Sequence, residues 1–250
     1  MILTIDIGNT NITCGVFYND KLLYKKSIAS KNVENSSYYT FFENIRKNYK
    51  VSFVYIISVV NELDNKIKNI LKEIFNKPIK IITNDCDLGI KIDIKTPSQL
   101  GTDRLINAFY GTKLYKKNFV IVDFGTATTF DVISSNGEFM GGAIAPGIGI
   151  SAEMLSNRAA QLPEVAIKKP QHIIGKNTVE GMQAGVVYGY IGLTEKLIKE
   201  IKKQYSEPLK VISTGGLGRM IYHETDLIDA YDKDLTFKGL KIIYDMQKRD

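Results

Sequence analysis

Two acidic residues each close an apolar run and open a small polar turn. Asp6 is followed by Ile7, Gly8, Asn9, Thr10, Asn11, Ile12 and Thr13, and Asp123 by Phe124, Gly125, Thr126, Ala127, Thr128 and Thr129. A glycine two residues after the carboxylate lets the backbone approach a phosphate closely. The Asn and Thr side chains add hydrogen-bond donors for its oxygens. A carboxylate at a strand end suits a cation, since Mg²⁺ commonly takes one or two carboxylates plus substrate phosphates. A single Asp-x-Gly is equally a turn in which the Asp bonds its own backbone. The duplicate at Asp123 favours a functional reading of both.

A third constellation is Gly101, Thr102, Asp103 and Arg104, where an irregular stretch containing Pro97 enters a helical pattern. In a first helical turn the dipole favours the ionised form of Asp103, which limits its basicity. Phosphoryl transfer tolerates this, because its loose transition state asks mainly for positioning of the nucleophile. Arg104 carries a planar fork suited to a carboxylate. The alternative is an exposed Asp–Arg helix start of small energetic weight. These four residues alone leave the two readings level.

Two glycine-rich stretches are less specific. Gly141 to Gly149 reads as a flexible loop walling a nucleotide and ending at a helix N-terminus that attracts anions, or as a loop packed on a sheet. Thr214-Gly215-Gly216 reads as a close backbone approach to an adenosine, or as an ordinary strand-to-helix turn. Thr178 opens a long helical pattern and by itself is an N-cap candidate.

The elements that must position these residues follow from hydrophobic periodicity. Strands are predicted over 2–7, 12–18 and 21–28, with the turn Asn19-Asp20 between the last two. Helices follow at 38–48 and 63–75, and strands at 51–59 and 79–83. The stretch 85–100 reads as irregular, and a helix runs from Thr102 to about Tyr115. The second half opens on a strand at 119–123. A hairpin follows over 128–134 and 138–142, turned by Asn136-Gly137, the strongest short hairpin signal. Helices are expected at 151–158, 178–204 and 236–248, with a strand at 210–213. Strand, Asp-x-Gly, polar turn and hairpin therefore occur twice. This predicts a duplicated α/β chain with a cleft between halves 1–117 and 118–250.

Composition narrows the class. The 250 residues are 44% hydrophobic and 24% charged, an ordinary globular balance. No apolar run is long enough to span a bilayer. The alternating Met1–Ile7 reads as a strand and not as a signal peptide, so a cytoplasmic location is expected. Cys14 and Cys86 are too few for a disulfide framework, and His172 and His223 too few for a histidine metal cluster. The net charge of +6 is mostly Lys, without the clustered Arg and aromatic residues of a nucleic-acid binder. It favours anionic small molecules.

In order and spacing, these motifs together resemble the type III pantothenate kinases, the family that also contains the Bvg accessory factors. The resemblance rests on Asp6-Ile-Gly-Asn-Thr10, Gly101-Thr-Asp-Arg104, Asp123-Phe-Gly-Thr-Ala-Thr-Thr129 and Gly141-Gly-Ala-Ile-Ala-Pro-Gly147. It rests also on Gly175-Lys-Asn-Thr178 leading into Met182-Gln-Ala-Gly185, and on Thr214-Gly-Gly216. It implies the actin/Hsp70/sugar-kinase (ribonuclease H-like) fold, with two halves flanking a nucleotide cleft, and ATP-dependent phosphorylation of pantothenate at its 4′-hydroxyl. It implies that Asp103 accepts the hydroxyl proton and that Gly101, Thr102, Asp103, Arg104 and Thr178 contact pantothenate. Asp6, Ile7, Gly8, Asn9, Thr10, Asn11, Ile12 and Thr13, with Thr126, would bind ATP. Asp123 would hold a monovalent cation, K⁺ or NH₄⁺, and Asp6 would sit by the Mg²⁺ that accompanies the nucleotide. A homodimer is implied, and the small residues of Met182–Tyr190 place its surface in the second half. Ile94 stands where many members carry a Tyr lining the pantothenate pocket, and Ala184 where Ser is common. The alternatives are a regulatory relative without catalysis and a phosphatase on the same fold. The presence of Asp6, Asp103, Arg104 and Asp123 argues against the first of these.

Overall fold

A computed structural model describes residues 1–158 and 162–248. In chain order the elements are β1 (Ile2–Ile7), β2 (Asn11–Tyr18), β3 (Lys21–Ala29), α1 (Asn35–Asn48), β4 (Phe53–Ser58), α2 (Asn61–Phe75), β5 (Ile79–Ile82) and β6 (Lys91–Ile92). A 3₁₀ turn (Pro97–Gln99) leads to α3 (Thr102–Leu114), β7 (Phe119–Phe124), β8 (Ala127–Ile133), β9 (Glu138–Pro146) and α4 (Ile148–Arg158). The chain closes with α5 (Thr178–Lys202), β10 (Lys210–Thr214), α6 (Gly218–Tyr222), β11 (Ala230–Tyr231) and α7 (Leu235–Gln247).

The chain divides into two compact units. One comprises Met1–Ile90, Lys95–Tyr110 and Asp234–Asp250; the other comprises Lys91–Ile94 and Gly111–Lys233.

The sheet of the first unit has the order β3-β2-β1-β4-β5. β1 pairs antiparallel with β2 and parallel with β4. Alternation along β1 sends Leu3, Ile5 and Ile7 to one face, where they join Ile12, Cys14 and Val16 of β2 under Tyr38 and Phe42 of α1 and Ile67 and Leu71 of α2. Tyr55 and Ile57 pack on the other side with Ile106 and Phe109 of α3 and with Leu240 and Ile243 of α7. Each fully buried Ile, Leu or Phe side chain is worth roughly 1.5–3 kcal/mol of transfer free energy. Those contacts hold α7 to the first sheet, although chain order had grouped it with residues 118–250.

The sheet of the second unit has the order β11-β10-β7-β8-β9-β6. Its pairings repeat the first: β7 antiparallel to β8, β8 antiparallel to β9, β7 parallel to β10 and β10 parallel to β11. Each copy also shifts register once between its second and third strands, at Val16/Phe17 and at Val132/Ile133. Val120, Val122, Phe124, Phe130 and Val132 form a core with Tyr190 and Ile198 of α5.

Two expectations need correction. Gly141 to Gly149 is not a flexible loop: β9 continues to Pro146, and α4 begins at Ile148. Pairing with β8 supplies the order that Gly and Ala lack by propensity. The stretch 85–100 contains the short strand β6, parallel to β9, with Lys91 opposite Glu138.

Candidate functional site

In the first unit the Asp6 turn is built at the end of β1. Asp6 is half-buried and lies opposite Thr13 on β2 and Ile57 on β4. The turn is closed by Gly8 N–H donating to Asn11 O at 3.0 Å. It is pinned from behind by buried Ser30, whose hydroxyl donates to Gly8 O at 2.6 Å and whose amide donates to Thr10 O at 2.9 Å. Asn9, Thr10 and Asn11 stay exposed. Ile7 and Ile12 are different: both side chains are fully buried in the core, so only their main chain can face a ligand.

Gly101, Thr102, Asp103 and Arg104 also lie in this unit. Asn84 anchors the preceding 3₁₀ turn by donating to Ser98 O at 3.0 Å, and Leu105 N–H donates to Gly101 O at 3.1 Å to start α3. The Asp103 Oδ1 accepts from the Arg104 amide at 2.8 Å. A Cβ on residue 101 would lie 2.5 Å from that same oxygen, so glycine there leaves the carboxylate its place. Burial raises the Asp103 pKa above the ordinary carboxylate range, outweighing the Arg104 amide and guanidinium, which lower it. Partial loss of water thus opposes the pull of the helix dipole on this half-buried carboxylate.

In the second unit Asp123, the last residue but one of β7, lies between two threonines, Thr129 on β8 and Thr214 on β10. The turn after it is closed by Gly125 N–H donating to Ala127 O at 3.1 Å, and Gly147 N–H donates to Thr126 O at 3.0 Å. A Cβ on residue 147 would lie 2.3 Å from Thr126 O and 2.5 Å from Gly125 O. This close backbone contact brings the start of α4 beside the turn. Gly215 has φ +90°, and a Cβ there would meet the Phe124 backbone at 2.5 Å. The Thr214-Gly215-Gly216 turn is thus packed directly on the end of β7.

The three threonines of this turn are not equivalent. Thr126 is exposed. Thr128 is fully buried and hydrogen-bonded to the Tyr190 hydroxyl at 2.7 Å, while the one Tyr190 proton goes to Pro146 O. The Thr129 hydroxyl donates to Asp131 Oδ2 at 3.1 Å. Asp131 was missed in the sequence, where it is one polar residue in an apolar strand.

Thr178 is not the cap of α5. Asn177 is, with its side chain accepting from Glu180 N–H at 3.0 Å, while the Glu180 carboxylate accepts from Lys176 N–H at 2.8 Å. Thr178 is exposed on the first turn and helps line a groove of about 610 Å³ in this unit, together with Ser151, Leu155, Met182, Val186 and Tyr190.

Among the described residues no three His, Cys, Asp or Glu side chains converge, and no helix is long and apolar enough to cross a membrane. A cation at Asp6 or Asp123 would be held by one carboxylate with hydroxyl, main-chain or substrate oxygens, and these hard donors fit Mg²⁺ and alkali cations.

The chain is similar to known proteins in sequence and in fold. A type III pantothenate kinase from Agathobacter rectalis is 44% identical over 257 residues, covering 100% of this chain and 98% of that protein. Among solved structures, a Baf family transcriptional activator from Campylobacter jejuni superposes with a TM-score of 0.61 at 23% identity, over 99% of this chain and 100% of that one. A protein described as an N-acetylglucosamine kinase from Porphyromonas gingivalis superposes with a TM-score of 0.51 at 14% identity, over the whole of both chains. At these identities the two structures show the fold alone, which is of the actin and sugar-kinase type. The sequence profile of the type III pantothenate kinases matches residues 2–200, and the chain belongs to that family.

Proposed function

We propose that this chain transfers the γ-phosphoryl group of ATP to the 4′-hydroxyl of pantothenate, giving 4′-phosphopantothenate and ADP, the opening step of coenzyme A biosynthesis. Family membership supports the reaction. The observation that carries the residue assignment is Asp103: a half-buried carboxylate at a helix start, with its pKa raised and its position kept by Gly101 and the Arg104 amide. A raised pKa makes a carboxylate a better proton acceptor. Asp103 accepts the hydrogen bond, and finally the proton, of the attacking hydroxyl. Arg104 pairs with the pantothenate carboxylate, and Gly101, Thr102 and Thr178 complete its contacts.

The segment Asp6 to Thr13 binds ATP through the exposed Asn9, Thr10 and Asn11 and through main-chain groups, and Thr126 binds a phosphate oxygen. Asp6 stands by the Mg²⁺ of the nucleotide, and Asp123 holds K⁺ or NH₄⁺. These cations supply neutralisation of charge on the phosphates during transfer. The chain works in the cytoplasm as a homodimer and binds neither nucleic acid nor a membrane. Support for the dimer comes from α5, where Gly181, Gly185 and Gly189 leave open space at helical spacing beside exposed Leu155.

The test is ADP release from ATP with Mg²⁺ and K⁺, with and without pantothenate, and identification of the product. Release that requires pantothenate and yields its 4′-phosphate supports the reading. Release of ADP at the same rate without pantothenate overturns it.

A further inference from the structure

Asp131 is fully buried in the middle of β8. A carboxylate in such a place is costly unless it is hydrogen-bonded. Alternation places Thr129 and Asp131 on one face of β8, opposite Asp123 and Ile121 of β7, while Phe130 between them enters the apolar core on the other side. Directly opposed side chains of this kind have Cβ atoms about 4.5–5.5 Å apart, so Thr129 and Asp123 are direct cross-strand neighbours.

A threonine hydroxyl has one proton and two lone pairs. That of Thr129 directs its proton to Asp131 Oδ2. What it can then offer to a ligand is oxygen, which suits a cation and does not suit a phosphate. Thr128 is taken up by Tyr190, and Thr126 is exposed at the turn. The first copy of the repeat lacks this arrangement. There the residue two after Thr13 is Gly15, and the Thr13 hydroxyl pairs with Ser27 Oγ at 2.9 Å.

We propose that Asp131 is a positioning residue that holds the Thr129 hydroxyl as an acceptor toward Asp123, making Thr129 an oxygen ligand of the monovalent cation. The inference rests on the assignment of that cation to Asp123.

The test is the melting temperature of the full chain at fixed MgADP, with KCl replacing NaCl at constant ionic strength. For the wild type, the melting temperature rises with KCl to a plateau. Loss of a ligand or of the residue that orients it typically weakens metal binding about 10–100-fold, so Thr129→Val and Asp131→Asn each move the KCl midpoint upward by that factor. Thr129→Ser, which keeps the hydroxyl, stays near wild type. In the Thr129→Val background, Asp131→Asn adds no further shift, because its effect passes through the hydroxyl. A folded Thr129→Val with the wild-type midpoint overturns the inference, as does full additivity of the two substitutions. If Asp131→Asn does not fold, the contrast between Thr129→Val and Thr129→Ser decides. A wild type that melts alike in KCl and NaCl overturns the cation assignment itself, and the inference with it.

Discussion

The Asp103 carboxylate accepts a hydrogen bond from the Arg104 amide at 2.8 Å, and burial still holds its pKa above that of an ordinary carboxylate. Two consequences follow for its pH dependence. The base must be ionised to act, so the acid limb of kcat/KM, which reports the free enzyme, falls with a midpoint above the usual carboxylate range. Stability has the opposite sign. The unfolded chain gives up this proton at lower pH than the folded one, so the penalty of ionising Asp103 grows as pH rises from the ordinary value to the raised one. Asp103→Asn carries no such charge. It should melt at or above wild type near neutral pH, and the difference should vanish in acid, below the ordinary carboxylate range. Melting curves of both proteins across pH check this.

Gly101→Ala places a Cβ 2.5 Å from Asp103 Oδ1. The atom in the way is the end of a side chain, so the carboxylate turns aside and the fold stays. Misplacement of a reacting group by about 1 Å can cost about 10²-fold. Steady-state kinetics should show kcat reduced by about that factor with little change in melting temperature. Gly147→Ala is the contrast. Its Cβ meets the Thr126 and Gly125 carbonyl oxygens, which belong to the backbone. It should raise the KM for ATP and lower the melting temperature together.

Arg104→Lys keeps the charge and loses the planar fork. The expected result is a raised KM for pantothenate with a smaller effect on the KM for ATP. An unchanged KM for pantothenate would make Arg104 a structural helix-start residue.

Much of this was legible in the sequence because it is local. The alternation of Ile2–Ile7, the continuous apolar run ending at Asp123, the turns at Asn19 and Asn136-Gly137 and the repeated Asp-x-Gly marked the first strands of the two sheets. The positive φ of Asn19 and Gly137 is what such turns require. What was missed depends on contacts distant in the chain. The strand character of Gly141–Pro146 comes from pairing with β8, since neither Gly nor Ala carries a strand signal. The short α6 and β11 give no period to read. The place of α7 is set by Leu240 and Ile243 against Tyr55 and Ile57. The ionisation of Asp103 was read from the helix dipole alone, and the partial burial that raises its pKa depends on the folded surroundings. Asp131 is found only when its burial and its bond to Thr129 are seen together.

Assembly is tested by sedimentation. The open glycine face of α5 and the apolar residues beside it predict a species of twice 28.1 kDa at micromolar concentration. A species of 28.1 kDa alone would contradict the dimer.

The most direct test of the whole account is the pantothenate-dependent rate of ADP release by Asp103→Asn at saturating ATP, Mg²⁺ and K⁺. The variant keeps the shape of the carboxylate and an oxygen for the Arg104 amide, but it cannot take a proton. General-base help is worth about 10²–10⁴-fold, so kcat should fall by that factor while ATP binding is retained. Turnover near wild type, accompanied by a lower melting temperature, would mark Asp103 as a helix-start residue and contradict the mechanism.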